Sequence, residues 1–173
     1  VQFASYASKV ATQFPWLTWY TPINEPLTTA RFSGLYGIWY PHNSDEVSFM
    51  KMLLNQVKAT VLAMREIRKI NPNAKLVQTE DLSKTHSTDL LSYQATFENE
   101  RRWLTYDLLC GKVKPGHFFW DYFISSGIPE KDLVFLVENT CPPDIMGFNY
   151  YVTSERFLDD KVNHYPVASY GGN

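Results

Sequence analysis

The stretch WYTPINEP, residues 19–26, decides how this chain is read. An apolar, aromatic run is delivered onto the polar pair Asn24-Glu25, and Pro26 fixes the turn that follows. The longer segment WLTWYTPI, residues 16–23, is rich in β-branched and aromatic residues and is too short and too evenly apolar for a surface helix. That composition predicts a strand buried on both faces. Pro22 weighs against it, because proline has no N–H for a ladder. A buried strand that ends on an ionisable group needs a reason, and ligands of parallel α/β folds bind at the carboxyl ends of the strands.

The flanking sequence extends the same reading. In residues 2–14, Phe3, Ala7, Val10, Ala11 and Phe14 recur at steps of three and four, which predicts one apolar helical face stopped by Pro15. After a Gly- and aromatic-rich loop at 31–43, which opens on Arg31, Asn43 and Glu46 stand at capping-box spacing, with Asp45 suited to the positive end of a helix. A long helix follows, with the apolar stripe Val47, Met50, Leu54, Val57, Val61, Met64, Ile67 and Ile70. Arg65, Arg68 and Lys69 occupy its last turns, and Asn-Pro-Asn at 71–73 ends it.

AKLVQTED, residues 74–81, reads as a second strand, again ending on polar groups, Glu80 and Asp81. Residues 88–110 predict another helix, with Tyr93, Phe97, Leu104 and Leu108 on one face and Gly111 as C-cap. Beyond Pro115, Gly116 and a cluster of aromatics come a short helix at 130–137 and a third strand, DIMGFNYY at 144–151. The third strand ends on Asn149, followed by Tyr150 and Tyr151. Helix alternating with strand implies right-handed crossovers onto a parallel sheet. Successive strand ends lie roughly 55 and 70 residues apart, more than a minimal βα unit needs, so elaborated loops are expected. The chain, residues 1–173, is one domain or part of one, with a polar tail or loop at 158–173.

Composition narrows the function classes. The 173 residues are 45% hydrophobic and 16% aromatic, enough for a sizeable core. A formal charge of −2, with both signs dispersed, leaves no basic stripe for phosphates, which argues against nucleic acid. No apolar run reaches the roughly 20 residues of a membrane span. Cys110 and Cys141 are too far apart for a Cys-x-x-Cys pair and read as buried free thiols. The histidines have no ligand spacing, so neither a metal nor another cofactor is expected. The chain opens on Val1 directly in a helical pattern and reads as a piece of something longer; a cytoplasmic location is the expectation.

Amides, carboxylates and phenols at three strand ends, surrounded by Trp and Tyr, suit a polyhydroxylated ligand with flat apolar faces. Carbohydrate fits best, because amides and carboxylates pair with adjacent hydroxyls. A carboxyl in such a pocket can be tuned upward to act as an acid near neutral pH. Polar residues also gather at strand ends simply because loops begin there. Both readings stand open for Glu80 and Asp81, and a structural role is expected for at least one of Tyr150 and Tyr151.

WYTPINEPLTTARFSGLYGIWYPH (19–42) resembles the strand-four region of glycoside hydrolase family 1, the retaining β-glycosidases, with its Thr-x-Asn-Glu-Pro motif. DIMGFNYYVTSERF (144–157) is similar to the strand-six motif of the same family, and LLCGKVKPGHF lies between them in the family's order. The resemblance covers nearly the whole chain. It implies part of a (β/α)8 TIM barrel, about strands four to six with their helices. It also implies a two-carboxylate retaining mechanism on a β-glycoside. Glu25 would be the general acid/base, Asn24 would bond the 2-hydroxyl, and Asn149 and Tyr151 would complete the site, with Tyr151 orienting the nucleophilic carboxylate. YYVTSERFLDD and YGGN resemble the bacterial subgroup in which such a domain precedes a sugar-nucleotide (dTDP-4-dehydrorhamnose) reductase module.

Two features depart from the family: Pro22 replaces an aromatic, and Glu80-Asp81 is more acidic than the usual strand-five end. The family's nucleophile lies on strand seven, beyond Asn173; Val-Glu-Asn-Thr at 137–140 imitates its motif but precedes strand six at the end of a predicted helix. The resemblance therefore implies a segment that carries the acid/base without its partner carboxylate, inactive alone. Its open sheet edges should be covered by the remainder of the barrel or by self-association. The alternatives are a non-catalytic barrel that binds a glycan or scaffolds a fused enzyme, and another hydrolase of the same barrel clan.

Overall fold

The computed structural model describes residues 2–166. Its centre is a three-stranded parallel sheet in the order β1 (Trp19–Tyr20), β2 (Lys75–Glu80), β4 (Ile145–Phe148). The register pairs Tyr20 with Leu76, Thr79 with Gly147 and Glu80 with Phe148. Side chains alternate across a strand. Leu76, Gln78 and Glu80 of β2 are buried beneath the helices, whereas Val77 and Thr79 lie on the opposite, half-exposed face.

The helical layer is built on α3 (Glu46–Ile70), which buries Phe49, Met50, Leu53, Val57, Met64 and Ile67 among others in the main core cluster. Asp45 is the N-cap: its side chain accepts from Ser48 N at 2.8 Å. Asn43, two residues upstream, instead donates from Nδ2 to the Ser48 hydroxyl at 3.0 Å, so the cap expected at Asn43 moves to Asp45. Helix α1 (Gln2–Gln13) packs on α3 through Ala4, Ala7 and Ala11. The expected face with Phe3 and Phe14 is rotated, because alanines let two helices approach closely while the two rings stay at the rim, 37% and 41% exposed.

Three further expectations change. The first strand is not buried on both faces. Only two of its described residues join the ladder, Trp19 is 59% exposed, and among the described residues it has β2 alone as a neighbour, with Pro22 just past the paired residues. The helix expected at 88–110 is a series of short elements. Strand β3 (Thr85–Ser87) leads through a 3-10 turn to α4 (Ser92–Arg101), and α5 (Leu104–Leu109) follows a break at Arg102-Trp103. There Trp103 N bonds Glu100 O at 3.2 Å, three residues back, and the Arg102 guanidinium turns to Leu82 O at 3.3 Å, tying the break to the loop after β2. Tyr93, expected on the inner face, is 70% exposed. Gly111 does cap α5: its φ is +67°, and Gly111 N and Lys112 N return to Leu108 O and Asp107 O.

Two further helices are α6 (Trp120–Ser125), which the sequence reading missed, and α7 (Glu130–Glu138). Residues 158–166 are not a simple polar tail. Strand β5 (Arg156–Leu158) pairs in parallel with β3, and the Tyr165 hydroxyl donates to Asp159 Oδ2 at 2.7 Å. The YGGN stretch lies outside the described residues. Cys141 is buried and Cys110 only partly so, and both are free thiols. Asp144 fixes the start of β4, where Oδ2 accepts from Leu76 N at 2.8 Å and from the Arg68 guanidinium at 3.0 Å.

Candidate active site

At the carboxyl end of the sheet, the chain leaving β1 meets the ends of β2 and β4. Glu25 N donates to Thr79 O at 3.2 Å and Asn149 N to Glu80 O at 3.0 Å, so backbone bonds extend the sheet into the site. Three of the four predicted site residues come together there. The Asn149 amide donates to Glu25 Oε1 at 2.7 Å and to Asn24 Oδ1 at 3.0 Å, and the Thr79 hydroxyl donates to the same Asn24 oxygen at 2.6 Å. Asn24 Oδ1 accepts two bonds, and Asn24 Nδ2 donates to no partner among the described residues. Glu25 Oε2 likewise has no partner among the described residues. Glu25 is half-buried and Asn24 exposed, so the free groups face the open side of the sheet.

Thr79 is a site residue that the sequence reading missed. The signal was present: in KLVQTED, residues of one parity share a face, and Thr79 rather than Glu80 shares the face of the strand-end amides. Opposite Thr79 stands Gly147, where an added Cβ would come within 2.5 Å of Thr79 Cγ2. Glycine at that position makes room for the side chain that holds Asn24.

Glu25 adopts φ 46°, ψ 59°, the left-handed region, at the N-cap of the short helix α2 (Pro26–Ala30). A residue with a Cβ is strained there by roughly 1–2 kcal/mol, and such strain persists only where the surroundings hold it. Tyr151 is not drawn into this cluster. Its side chain is 54% exposed, and its hydroxyl has no hydrogen-bond partner among the described residues. Tyr150 is exposed as well. Glu138, in the stretch that imitates the nucleophile motif, is an exposed residue at the end of α7, away from the strand ends.

Glu80 and Asp81 separate. Glu80 is fully buried on the helix side of β2, where Oε1 accepts from Leu27 N at 2.8 Å and from the Thr105 hydroxyl at 2.5 Å. Burial pushes its carboxyl up to about 7; the two hydrogen bonds and Arg31 act against this, and the Glu25 carboxylate adds to it. Arg31 belongs to the π-helical turn Arg31–Leu35 and donates to the Thr28 hydroxyl at 3.3 Å. Its guanidinium is pulled below its usual range by burial. Asp81 forms a tight turn, accepting from Ser83 N and the Ser83 hydroxyl. It lines a cavity of about 20 Å³ with Arg31, Arg102 and Arg156, the size of a single water. Among the described residues no group of three or more His, Cys, Asp or Glu side chains could hold a metal ion, and no helix is long and apolar enough to cross a membrane.

No protein-family model and no curated protein sequence matches the chain. Solved structures do. The family 1 β-glucosidase from Thermotoga maritima superposes with a TM-score of 0.76 at 18% identity, covering 91% of this chain and 35% of that one. The same β-glucosidase in complex with cyclophellitol gives 0.76 at 17% identity over 93% and 36% of the two chains. The AHE enzyme from Alicyclobacillus herbarius gives 0.70 at 19% identity over 87% and 35%. The chain thus spans about a third of the length of the structures it matches, and its fold is part of a (β/α)8 TIM barrel.

Proposed function

We propose that the chain is the segment around strands four to six of a retaining β-glycosidase, with Glu25 as its general acid/base. The observation that carries this reading is the Asn24–Glu25–Asn149 cluster at the carboxyl ends of β1 and β4, where barrel enzymes hold their substrates. In the first step, Glu25 gives the proton on Oε2 to the glycosidic oxygen as a second carboxylate, from outside this chain, bonds the anomeric carbon and the aglycone leaves. In the second, the Glu25 carboxylate takes a proton from the water that displaces that carboxylate from the sugar. Asn149 donates to Oε1 and so supports Glu25 in both protonation states, while Asn24 offers Nδ2 to the 2-hydroxyl. Tyr151, exposed beside the cluster, is the side chain to orient the second carboxylate.

The exposed apolar residues at the two sheet edges, Trp19 with Trp16 on one side and Ile145 with Phe148 on the other, suit contact with the remainder of such a barrel. Fusion to a sugar-nucleotide reductase and a cytoplasmic location belong to the same reading.

The test is Glu25→Gln in the whole barrel. Hydrolysis of an alkyl β-glucoside, whose leaving group needs protonation, should fall by about 10²–10⁴-fold, and an activated aryl β-glucoside should lose far less in its first step. Undiminished hydrolysis of the alkyl glucoside would refute the acid assignment. A whole barrel with no second carboxylate about 5 Å from Glu25 would favour the non-catalytic glycan-binding or scaffolding barrel instead.

A further inference from the structure

Helix α2 begins without a cap of its own. Its N-cap residue is Glu25, whose side chain makes no bond to the first turn, and Pro26 at the first helical position has no N–H to satisfy. The first amide needing an acceptor is that of Leu27, and the acceptor is Glu80 Oε1, from the neighbouring strand. The same oxygen takes the Thr105 hydroxyl from α5, so one buried carboxyl joins β2, α2 and α5.

We propose that Glu80 is a positioning residue for Glu25: by capping α2 from β2, it leaves the carboxylate of Glu25 free to face Asn149 and the open side of the sheet. An N-cap side chain ordinarily turns back onto its own helix, and here that task is done by another residue. Two bonds from consecutive residues of β2 bracket the left-handed Glu25. Thr79 O accepts from Glu25 N on one side, and the Glu80 side chain accepts from Leu27 N on the other.

The device does not depend on ionisation. Oε1 remains an acceptor whether Glu80 is a carboxylate or carries a proton on Oε2, the buried oxygen without a partner among the described residues. Glutamine offers the same acceptor, whereas alanine offers none. The charged and titratable groups facing Glu80 are Arg31 from the π-helical turn, Glu25 from the start of α2 and Tyr106 from α5.

The proposal rests on Glu25 being the acid/base, so the experiment has two arms in the whole barrel that carries this chain. The first is amide hydrogen exchange at Leu27. Glu80→Ala should speed it by roughly 10-fold, as loss of a cap does, and Glu80→Gln should restore most of the protection. The second is kinetics: Glu80→Ala should lower kcat/KM, which reports the first step, by about 100-fold on an alkyl β-glucoside and by far less on an activated aryl β-glucoside, with Glu80→Gln recovering most of the loss. Unchanged Leu27 exchange in Glu80→Ala would overturn the proposal whatever the kinetics. So would equal losses on the two substrates, the mark of a merely structural role. A barrel that hydrolyses neither substrate before mutation refutes the enzyme reading, and the exchange arm still decides whether Glu80 is the cap of α2.

Discussion

Glu25 and Glu80 end neighbouring strands, yet they meet opposite environments. Glu25 follows β1 on the open side, half-buried, with one oxygen held by Asn149 and the other without a partner among the described residues. Glu80 is the last residue of β2 and points the other way, fully buried beneath α2 and α5, with one oxygen taken by Leu27 N and Thr105. The same residue type at the same end of one sheet is therefore presented to substrate in one case and used to hold the backbone in the other. On β2 strand parity turns Glu80 beneath the helices, and the left-handed turn before α2 sets Glu25 on the open side.

That difference should appear first in the pH dependence of stability, where the largest effect is expected. The Glu80 carboxyl is pushed from an ordinary 4.5 to about 7, chiefly by burial. Its folded-state value lies above its unfolded one, so between about pH 4.5 and 7 the folded form binds more protons. Stability then falls as pH rises through this window and changes no further above it. A shift of that size corresponds to about 3 kcal/mol, so denaturant unfolding should show a protein less stable at pH 8 than at pH 5 by an amount of that order. Glu80→Gln should flatten the curve, matching the parent at pH 5 and exceeding it at pH 8. A parent curve flat across the window would mean that Glu80 is not buried as described.

How much of this was legible in the sequence follows from the range of each signal. The long helix α3 and the positions of β2 and β4 are set by local periodicity and by turn residues such as those at 71–73, and they were read correctly. The first strand was read as doubly buried because its composition is that of a barrel strand, but burial depends on neighbours, and among the described residues β1 pairs only with β2. The small β3–β5 ladder joins segments some 70 residues apart, and strands of three residues carry no periodicity of their own.

The site divides in the same way. Asn24, Glu25 and Asn149 lie where the strand-end argument puts them, and their hydrogen bonding could not be read from spacing. Thr79 could have been found by extending alternation through KLVQTED. The capping of α2 by Glu80 could not, because its partners come from segments 53 and 25 residues away.

The open side can be tested by crowding it. Gly147→Ala puts a Cβ against Thr79 Cγ2, and Thr79 cannot rotate away without giving up its bond to Asn24. A loss of about 2 kcal/mol is expected from denaturant unfolding, as for an overpacked site. Thr79→Ala in the same chain should relieve most of it, because the atom being struck is gone. If the double variant is no better than the sum of the two singles, Gly147 is not there to make room for Thr79.

The smallest effect on stability, and the finest distinction between the two faces, is expected from Thr79→Val. Valine keeps the branched shape opposite Gly147 and removes only the hydroxyl that donates to Asn24 Oδ1. Asn24 is exposed, so water can replace that donor, and the change in stability should stay within about 1 kcal/mol. In the whole barrel the consequence lies in the sugar contact. A loosened Asn24 would weaken the bond to the 2-hydroxyl, which every substrate carries whatever its leaving group, so alkyl and activated aryl glucosides should lose rate in the same proportion. Thr79 and Glu80 are adjacent in sequence and hold the two flanks of Glu25, Thr79 through Asn24 on the open side of the sheet and Glu80 through Leu27 N on the helix side. A Thr79→Val variant that discriminated between leaving groups as strongly as Glu80→Ala would erase that division of labour, and with it the argument from strand parity.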